Sequence, residues 1–348
     1  MSIARFVRHP LVWFGTIVSI AALALAFRGL HWGEVRHAIA NANYLLLALA
    51  LAILIASFVT RTIRWKVLFA PRTGLRSWNV FGALTVGYAL NNLLPLRMGE
   101  IGRAYLICQT ESTDPGQALS TIVLERALDT VTVVLILMVT LPFIDAPAWA
   151  RGPALLLGAA FLGIIIVLAI AAAARERTLG ILRFFTRRLP ARLPDRADRL
   201  AETALDGFSV IHRPRVMAQA LIWSVVSWLA SALVMFIVMR AFGLSVPLSA
   251  GLFVMCATSL GAIVPSSPGY VGVFHAIAIE SLVNVFGVGR SDAASFAFVQ
   301  HAMLYVTPIA LSAVYFIGQR GTWQTVLNWV STADETAATP PATPGADA

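Results

Sequence analysis

The chain has 348 residues, of which 58% are hydrophobic and only 12% are charged, whereas an ordinary globular chain is about 45–50% apolar and about 25% charged. Its mean hydropathy is +0.79, and apolar runs of membrane-spanning length recur throughout, which excludes a soluble enzyme and predicts a polytopic helical membrane protein. The net charge of +9 lies mainly in loops between apolar runs. Because the positive-inside bias of membrane insertion explains such loops, no nucleic-acid partner is expected.

The sequence gives no sign of a cofactor or a metal. Cys108 and Cys256 are far apart, and neither belongs to a spacing that is typical of metal or redox sites. No nucleophile elbow, Walker loop or zinc-protease motif is present. We therefore expect a transporter-like protein without a cofactor rather than an enzyme.

Two apolar runs open the chain. The first, Leu11 to Phe27, is interpreted as a retained span with a cytoplasmic N-terminus, because Arg5 and Arg8 precede it. A signal peptide is the alternative, since Ala24-Leu25-Ala26 resembles a cleavage site. The second span is predicted from about Tyr44 to Thr60. The basic loop that follows, Arg61 to Arg76, is expected in the cytoplasm.

The next part of the chain contains a segment that should turn back. Asn79 to Cys108 is apolar but is broken in the middle by proline, glycine and three charges. Two spans are predicted next, at about Leu119–Leu141 and Pro153–Ala174. The basic stretch Arg175 to Arg215 follows them and is predicted to form cytoplasmic amphipathic helices. Both basic regions belong on the same side, so only an even number of full crossings can separate them. We therefore predict a re-entrant hairpin at Asn79–Cys108, entering from the cytoplasm.

The second half repeats this organisation. A span at about Val216–Met239 precedes an apolar segment broken at Pro265 to Gly269, and a last span covers about Ala293–Ile317. The two breaks align, Pro95 with Pro265 and Gly99 with Gly269, which favours two inverted repeats of about 10–141 and 153–318. The predicted fold is all-α, with about six full spans, two opposed re-entrant hairpins and both termini in the cytoplasm. Residues 331–348 are expected to be disordered.

Charges at membrane depth are the candidate functional residues, because each is costly unless it is paired or wetted. Arg97 lies in the first break, and Glu100 and Arg103 lie on the helix that follows it, one turn apart so that they can pair. Arg97 would keep its donors free for a phosphate. On the next helix, two acids and an arginine lie on one face and can oppose these arginines: Glu125, Arg126 and Asp129. The alternative is that all these charges only pin the hairpin to the next helix.

Three further groups of residues are also candidates. Arg61 and Arg64 could contact a lipid headgroup, although interfacial anchoring by arginine is common. The second break could bind an anion through free backbone N–H groups and hydroxyls, or it could be a plain turn; its residues are Pro265, Ser266, Ser267 and Gly269. His275 and Glu280 on the following helix are candidates for proton coupling, or for ordinary interhelical hydrogen bonds.

At these motifs the chain resembles the flippase-like transmembrane region of lysylphosphatidylglycerol synthases, a family with many stand-alone members. The matching strings are Thr60-Arg61-Thr62-Ile63-Arg64-Trp65, Asn91-Asn92-Leu93-Leu94-Pro95-Leu96-Arg97-Met98-Gly99-Glu100-Ile101-Gly102-Arg103, Glu125-Arg126-Ala127-Leu128-Asp129 and Pro265-Ser266-Ser267-Pro268-Gly269-Tyr270-Val271-Gly272. The resemblance covers about residues 10 to 320. It implies an inner-membrane protein that moves a lipid between leaflets.

Few residues follow the last predicted span, so we expect a stand-alone member without the aminoacyl-transfer domain of the synthases, and this expectation leaves the cargo open. An arginine-led site suits an anionic cargo, either a phospholipid or a polyprenyl-phosphate lipid. The leading hypothesis is a flippase for such a lipid. The alternatives are an integral-membrane transferase with Glu100, Glu125 or Asp129 as its base, and a non-transporting partner of a lipid (for example hopanoid) synthesis enzyme. A homo-oligomer also stays open.

Overall fold

The computed structural model describes residues 10–71, 74–94, 97–144, 202–262 and 266–319, together with isolated positions between 156 and 180 and residue 324. Within those ranges the regular structure is helical and no strand occurs. Some of the predicted features lie outside the described residues. They are most of the predicted span at 153–174, residues 181–201 of the basic stretch, the whole tail at 331–348, and Pro95 and Pro265 at the two breaks.

The helices fall into two series along the chain. The first series is α1 (Pro10–Phe27), α2 (Trp32–Ala40), α3 (Tyr44–Leu68), α4 (Ser77–Leu93), α5 (Met98–Glu111) and α6 (Pro115–Thr140). The second series is α7 (Pro214–Ala241), α8 (Leu248–Gly261), α9 (Val273–Phe286) and α10 (Arg290–Gly318).

Several of these helices are suited to crossing a membrane. The described part of the chain has four segments that are long and apolar enough to cross: α3, α7, the kinked segment Pro268–Phe286 and α10. The bent pair of α1 and α2 is a fifth candidate if it acts as one span. Polar caps mark helix starts: Asn43 accepts hydrogen bonds from the first turn of α3, and Asp114 caps α6 before Pro115. The chain is a multi-pass helical membrane protein.

The central pair of helices, α3 and α7, runs antiparallel. The N–H of Asn43, before α3, donates to the carbonyl of Ala241 at the end of α7 at 2.8 Å. Further along, the hydroxyls of Thr60 and Ser227 are hydrogen-bonded at 2.8 Å. Helix α3 continues to Leu68, eight residues beyond the end near Thr60 that we expected for this span. The two arginines that suggested an early end have polar partners inside the bundle, so the helix has no need to stop before them.

Each of the two predicted breaks joins a pair of antiparallel helices. Asn79 near the start of α4 donates to the Glu111 carboxylate at the end of α5 at 2.6 Å, so the open ends of α4 and α5 lie side by side. Their backbones approach closely, because a Cβ on Gly99 would clash with a backbone carbonyl oxygen of α4. In the same way, Phe253 in α8 packs on Phe286 at the end of α9, with ring centroids 6.2 Å apart.

The two breaks contact each other. Arg97, in the first break, donates to the carbonyl of Ala262 at the end of α8 at 2.9 Å. At the second break, Gly269 lies so close to the carbonyl oxygen of Asn92 that an added Cβ would be 3.3 Å from it. The tips of the two helix pairs therefore contact each other.

The order long, short, short, long recurs in the two series. Matching helices begin at similar separations along the chain: 170 residues for α3 and α7, 171 for α4 and α8, and 175 both for α5 and α9 and for α6 and α10. The two breaks show a similar separation in the sequence as well. The described helices therefore follow the spacing of an internal repeat.

Candidate functional site

Six charged side chains from three helices form one connected group, which we call the ion cluster: Arg64 of α3, Glu100 and Arg103 of α5, and Glu125, Arg126 and Asp129 of α6. The cluster contains three cations and three anions, so its formal charge is zero. The hairpin charges and the acids of the next helix therefore lie together, as the sequence predicts.

Glu125 is the centre of the ion cluster. Its carboxylate lies 2.8 Å from Arg64, 3.1 Å from Arg103 and 2.5 Å from Arg126. The side chains of Glu125 and Arg64 are 0% exposed, whereas that of Arg126 is 30% exposed. A buried carboxylate is stable only when its charge is compensated and its lone pairs are used, and three guanidinium groups meet both needs here.

The outer bonds of the ion cluster hold the helices together. Arg103 pairs with Glu100 at 3.2 Å, one turn away as predicted, and Arg126 pairs with Asp129 at 3.1 Å. Arg64 also pairs with Asp129. The cluster therefore links α3, α5 and α6 through charge-assisted bonds, which are about twice as strong as neutral ones.

The position of Arg64 corrects our expectation for this residue. An interfacial anchor or a headgroup ligand would expose its guanidinium, but Arg64 is fully buried. It also donates to the Ser224 hydroxyl of α7 at 3.1 Å. Arg64 is held inside the bundle because two carboxylates and a hydroxyl together compensate its charge and accept its hydrogen bonds.

Arg61 lies beside the ion cluster but forms no ion pair with its carboxylates. Its guanidinium donates to the hydroxyls of Tyr88 at 3.1 Å and Ser231 at 3.0 Å, and it lies 5.2 Å from the ring centroid of Trp228. Arg61 is only 8% exposed, and no carboxylate of the described ranges forms an ion pair with it. It is a buried cation held by hydroxyls and an aromatic face.

Arg97 is a second cation without an acidic partner in the described part of the chain. It occupies the break between α4 and α5 in the left-handed conformation, with φ 55°, which is uncommon for a residue other than glycine. Its guanidinium lies 5.8 Å from the ring centroid of Tyr270 in the second break. We expected all its donors to be free, but one is bonded to Ala262. The rest of this exposed guanidinium can reach a ligand.

Some hydrogen-bonding groups of the second break already bond to neighbouring residues of the chain. The N–H of Ser267 donates to the hydroxyl of Ser19 in α1 at 2.8 Å, and the Ser267 hydroxyl donates to the carbonyl of Val271 at 3.3 Å. Ser266 has a buried hydroxyl without a hydrogen bond in the described structure. Gly269 has φ 68°, and a Cβ added to it would lie 3.3 Å from the carbonyl oxygen of Asn92 near the end of α4.

His275 and Glu280, the two candidates for proton coupling, have separate environments. His275 accepts a hydrogen bond from the N–H of Gly272 at 3.3 Å, and its ring centroid lies 4.7 Å from that of His301. Glu280 instead pairs with Arg290 at 2.6 Å. The two residues were grouped in the sequence because they share a helix, but they do not form one group in the structure.

The part of the chain that carries the ion cluster and both breaks matches known proteins. Residues 12–312 match the sequence model of the family described as "Lysylphosphatidylglycerol synthase TM region". The chain belongs to this family. A UPF0104 membrane protein from Methanothermobacter thermautotrophicus is 23% identical over 326 residues, which make up 87% of this chain and 94% of that protein. A UPF0104 membrane protein from Methanocaldococcus jannaschii is 36% identical over 93 residues, 26% of this chain and 27% of that protein.

Membership in the synthase transmembrane-region family confirms the resemblance that the charged motifs indicated. The names of the two relatives describe membrane proteins and state no activity. The functional argument for this family member therefore depends on the site itself.

Sequence reasoning missed the side of this family member's site that α7 supplies. Ser224 and Ser231 bond to Arg64 and Arg61, and the indole N–H of Trp228 donates to Asp129 at 2.8 Å. A signal was present, because hydroxyl residues at 224, 227 and 231 follow helical spacing and face one side. In an otherwise apolar helix, such a stripe indicates a polar partner.

Proposed function

We propose that this protein translocates an anionic, phosphate-bearing lipid between the leaflets of the bacterial inner membrane and is not an enzyme. The observation that carries the proposal is the place of Arg97. It has no acidic partner among the described residues, and it lies where the tips of two helix pairs meet.

The charge balance favours an anionic ligand. The ion cluster is neutral, so Arg61 and Arg97 are surplus cations in the same region. An uncompensated arginine at the centre of a bilayer costs at least about 2.5–3.5 kcal/mol. A phosphate beside Arg97 would offset this cost, and a planar guanidinium is well matched to phosphate oxygens. The phosphate of the headgroup, rather than the acyl or prenyl chains, would then select the cargo.

The arrangement of helices favours alternating access. In the proposed topology, six full spans surround the pairs α4–α5 and α8–α9, which enter the membrane from opposite faces as re-entrant hairpins. Both termini lie in the cytoplasm, next to the basic segments. The antiparallel α3 and α7, together with the similar spacing of 170 to 175 residues between the starts of matching helices, support inverted repeats. Rocking of one repeat against the other would expose the lipid phosphate to each leaflet in turn.

The proposal is tested by reconstituting the purified protein into vesicles that contain fluorescent anionic phospholipid. Quenching of the outer leaflet then reports the rate of leaflet exchange. We expect Arg97→Ala to lower this rate at least tenfold and Arg97→Lys to keep part of it. Arg36→Ala is the matched control, because Arg36 is exposed on α2 away from the site.

Equal exchange rates for the native protein, Arg97→Ala and protein-free vesicles would refute the flippase. Incubation with candidate group donors separates the alternative of a transferase, because a new lipid product that depends on Glu125 would show catalysis instead of transport.

A further inference from the structure

A groove on the outside of the bundle lies between α3, α4 and α7. It has a volume of about 890 Å³. Its walls are mainly apolar and include Val59, Ile63, Trp78 and Phe81, while Lys66 is a basic residue in its lining. We call it the Lys66 groove.

The Lys66 groove is separate from the ion cluster. Side chains of a helix point in directions about 100° apart per residue, so Val59, Ile63 and Lys66 lie on a different face of α3 from Arg64. Burial agrees with this, because Val59 is 50% exposed while Arg64 is buried. A ligand in the groove would therefore touch none of the ion-cluster side chains.

The length of the groove matches one leaflet. Its lining extends along the chain from Val59 in α3 to Ala70 just after it, which at 1.5 Å per residue is about 17 Å. The hydrocarbon core of a bilayer is about 30 Å thick, so one leaflet contributes about 15 Å. An acyl chain of a membrane lipid fits this length, while its headgroup would lie at the end where α3 stops.

The polar residue near that end is a cation. Lys66 is the single lysine of the sequence, and its amine donates to the Ser77 hydroxyl at 3.0 Å. Within the described ranges it forms no ion pair, so two of its three donors are free for another group. Trp78, which is 43% exposed, also lines the groove, and tryptophan is enriched at the level of lipid headgroups.

We propose that the Lys66 groove binds one anionic phospholipid of the leaflet on the side where α3 ends. Its phosphate lies on Lys66 and its acyl chain lies along α3. The charge of Lys66 and the length of the apolar wall both select this occupant. The proposal does not depend on transport, because it uses none of the residues that would hold the translocated lipid.

The test measures quenching of Trp78 by lipids with brominated acyl chains. The full chain is reconstituted into phosphatidylcholine vesicles that contain either brominated phosphatidylglycerol or brominated phosphatidylcholine. A Trp78→Phe variant identifies the emission that belongs to Trp78. We expect quenching of that emission to favour the anionic lipid about fivefold, which corresponds to about 1 kcal/mol for one lysine near the membrane surface.

Matched variants decide between specific and general attraction. Lys66→Gln should abolish the fivefold preference and Lys66→Arg should keep it. Arg76→Gln, which removes an exposed charge from the same loop, should leave the preference within twofold. Equal quenching by both lipids in the native protein, or an unchanged preference in Lys66→Gln, would overturn the proposal.

Filling the groove distinguishes a lipid from a second copy of the chain. Gln219, which lines the groove from α7, is replaced by phenylalanine to add a ring to that wall. Gln219→Phe should reduce quenching by both lipids without changing the mass of the protein particle in detergent. A particle whose mass falls by half in this variant, with unchanged quenching, would show that a second copy covers the groove and would overturn lipid binding there.

Discussion

Replacing Glu125 by glutamine tests whether the ion cluster stabilises the bundle. The side chain is fully buried and lies against three guanidinium groups. The substitution keeps its size but leaves three cations facing two carboxylates. Removing one partner of a buried ion pair typically costs about 3–5 kcal/mol, and we expect a loss in that range in the free energy of unfolding.

The measurement is equilibrium unfolding in mixed detergent micelles, followed by circular dichroism. The double variant Glu125→Gln/Arg126→Gln is the decisive comparison, because it restores two cations and two anions. We expect it to recover about 1–3 kcal/mol relative to the single variant. Glu34→Gln is the control, since Glu34 is exposed on α2. The reasoning is refuted by a Glu125→Gln protein whose stability lies within about 0.5 kcal/mol of the native chain, as for an ordinary surface substitution.

Two further predictions use the same unfolding measurement. Arg64→Met should lose about 3–5 kcal/mol, because it removes a buried cation that pairs with two buried carboxylates and leaves three acids facing two cations. Arg61→Met should lose less than about 1 kcal/mol, because Arg61 forms no ion pair with a carboxylate in the described structure. Equal losses would contradict the charge balance of the ion cluster. Gly99→Ala should cost about 1–3 kcal/mol, since its Cβ would clash with a backbone oxygen of α4. Gly33→Ala, with nothing within 4 Å of the added Cβ, is its control, and a Gly99→Ala chain as stable as that control would mean that the two arms are not closely packed.

The breaks and the short-range ion pairs could be predicted from the sequence because their signals are local. Charges, prolines and glycines inside an apolar stretch are incompatible with a lipid-facing continuous helix. The pair formed by Glu100 and Arg103 follows from their spacing of one helical turn. The contact between the two breaks, made by the bond from Arg97 to Ala262, was not part of that local signal.

The partners of Arg61 and Arg64 could not be predicted in the same way. Arginine at the end of an apolar run is usually interfacial, so both residues suggested that α3 ends near Thr60. Their actual partners come from other helices, such as Asp129, which is 65 residues from Arg64 along the chain. Pairing at such separations depends on how the helices pack, which one sequence does not reveal.

The charges of the site are distributed unequally between the two series of helices. When the second series is aligned on the first through Pro95 and Pro265, Arg64 and Arg103 correspond to Val234 and Val273, so the second series has no ion pair at those positions.

The ion cluster fastens α3, α5 and α6 to one another, and Ser224 and Trp228 bond α7 to it. By contrast, α8 and α9 have no side chain in the ion cluster, and the pair of Glu280 with Arg290 links α9 only to α10. In the proposed transport cycle, α8 and α9 are therefore the helices best placed to move, while the helices bonded to the ion cluster form the frame.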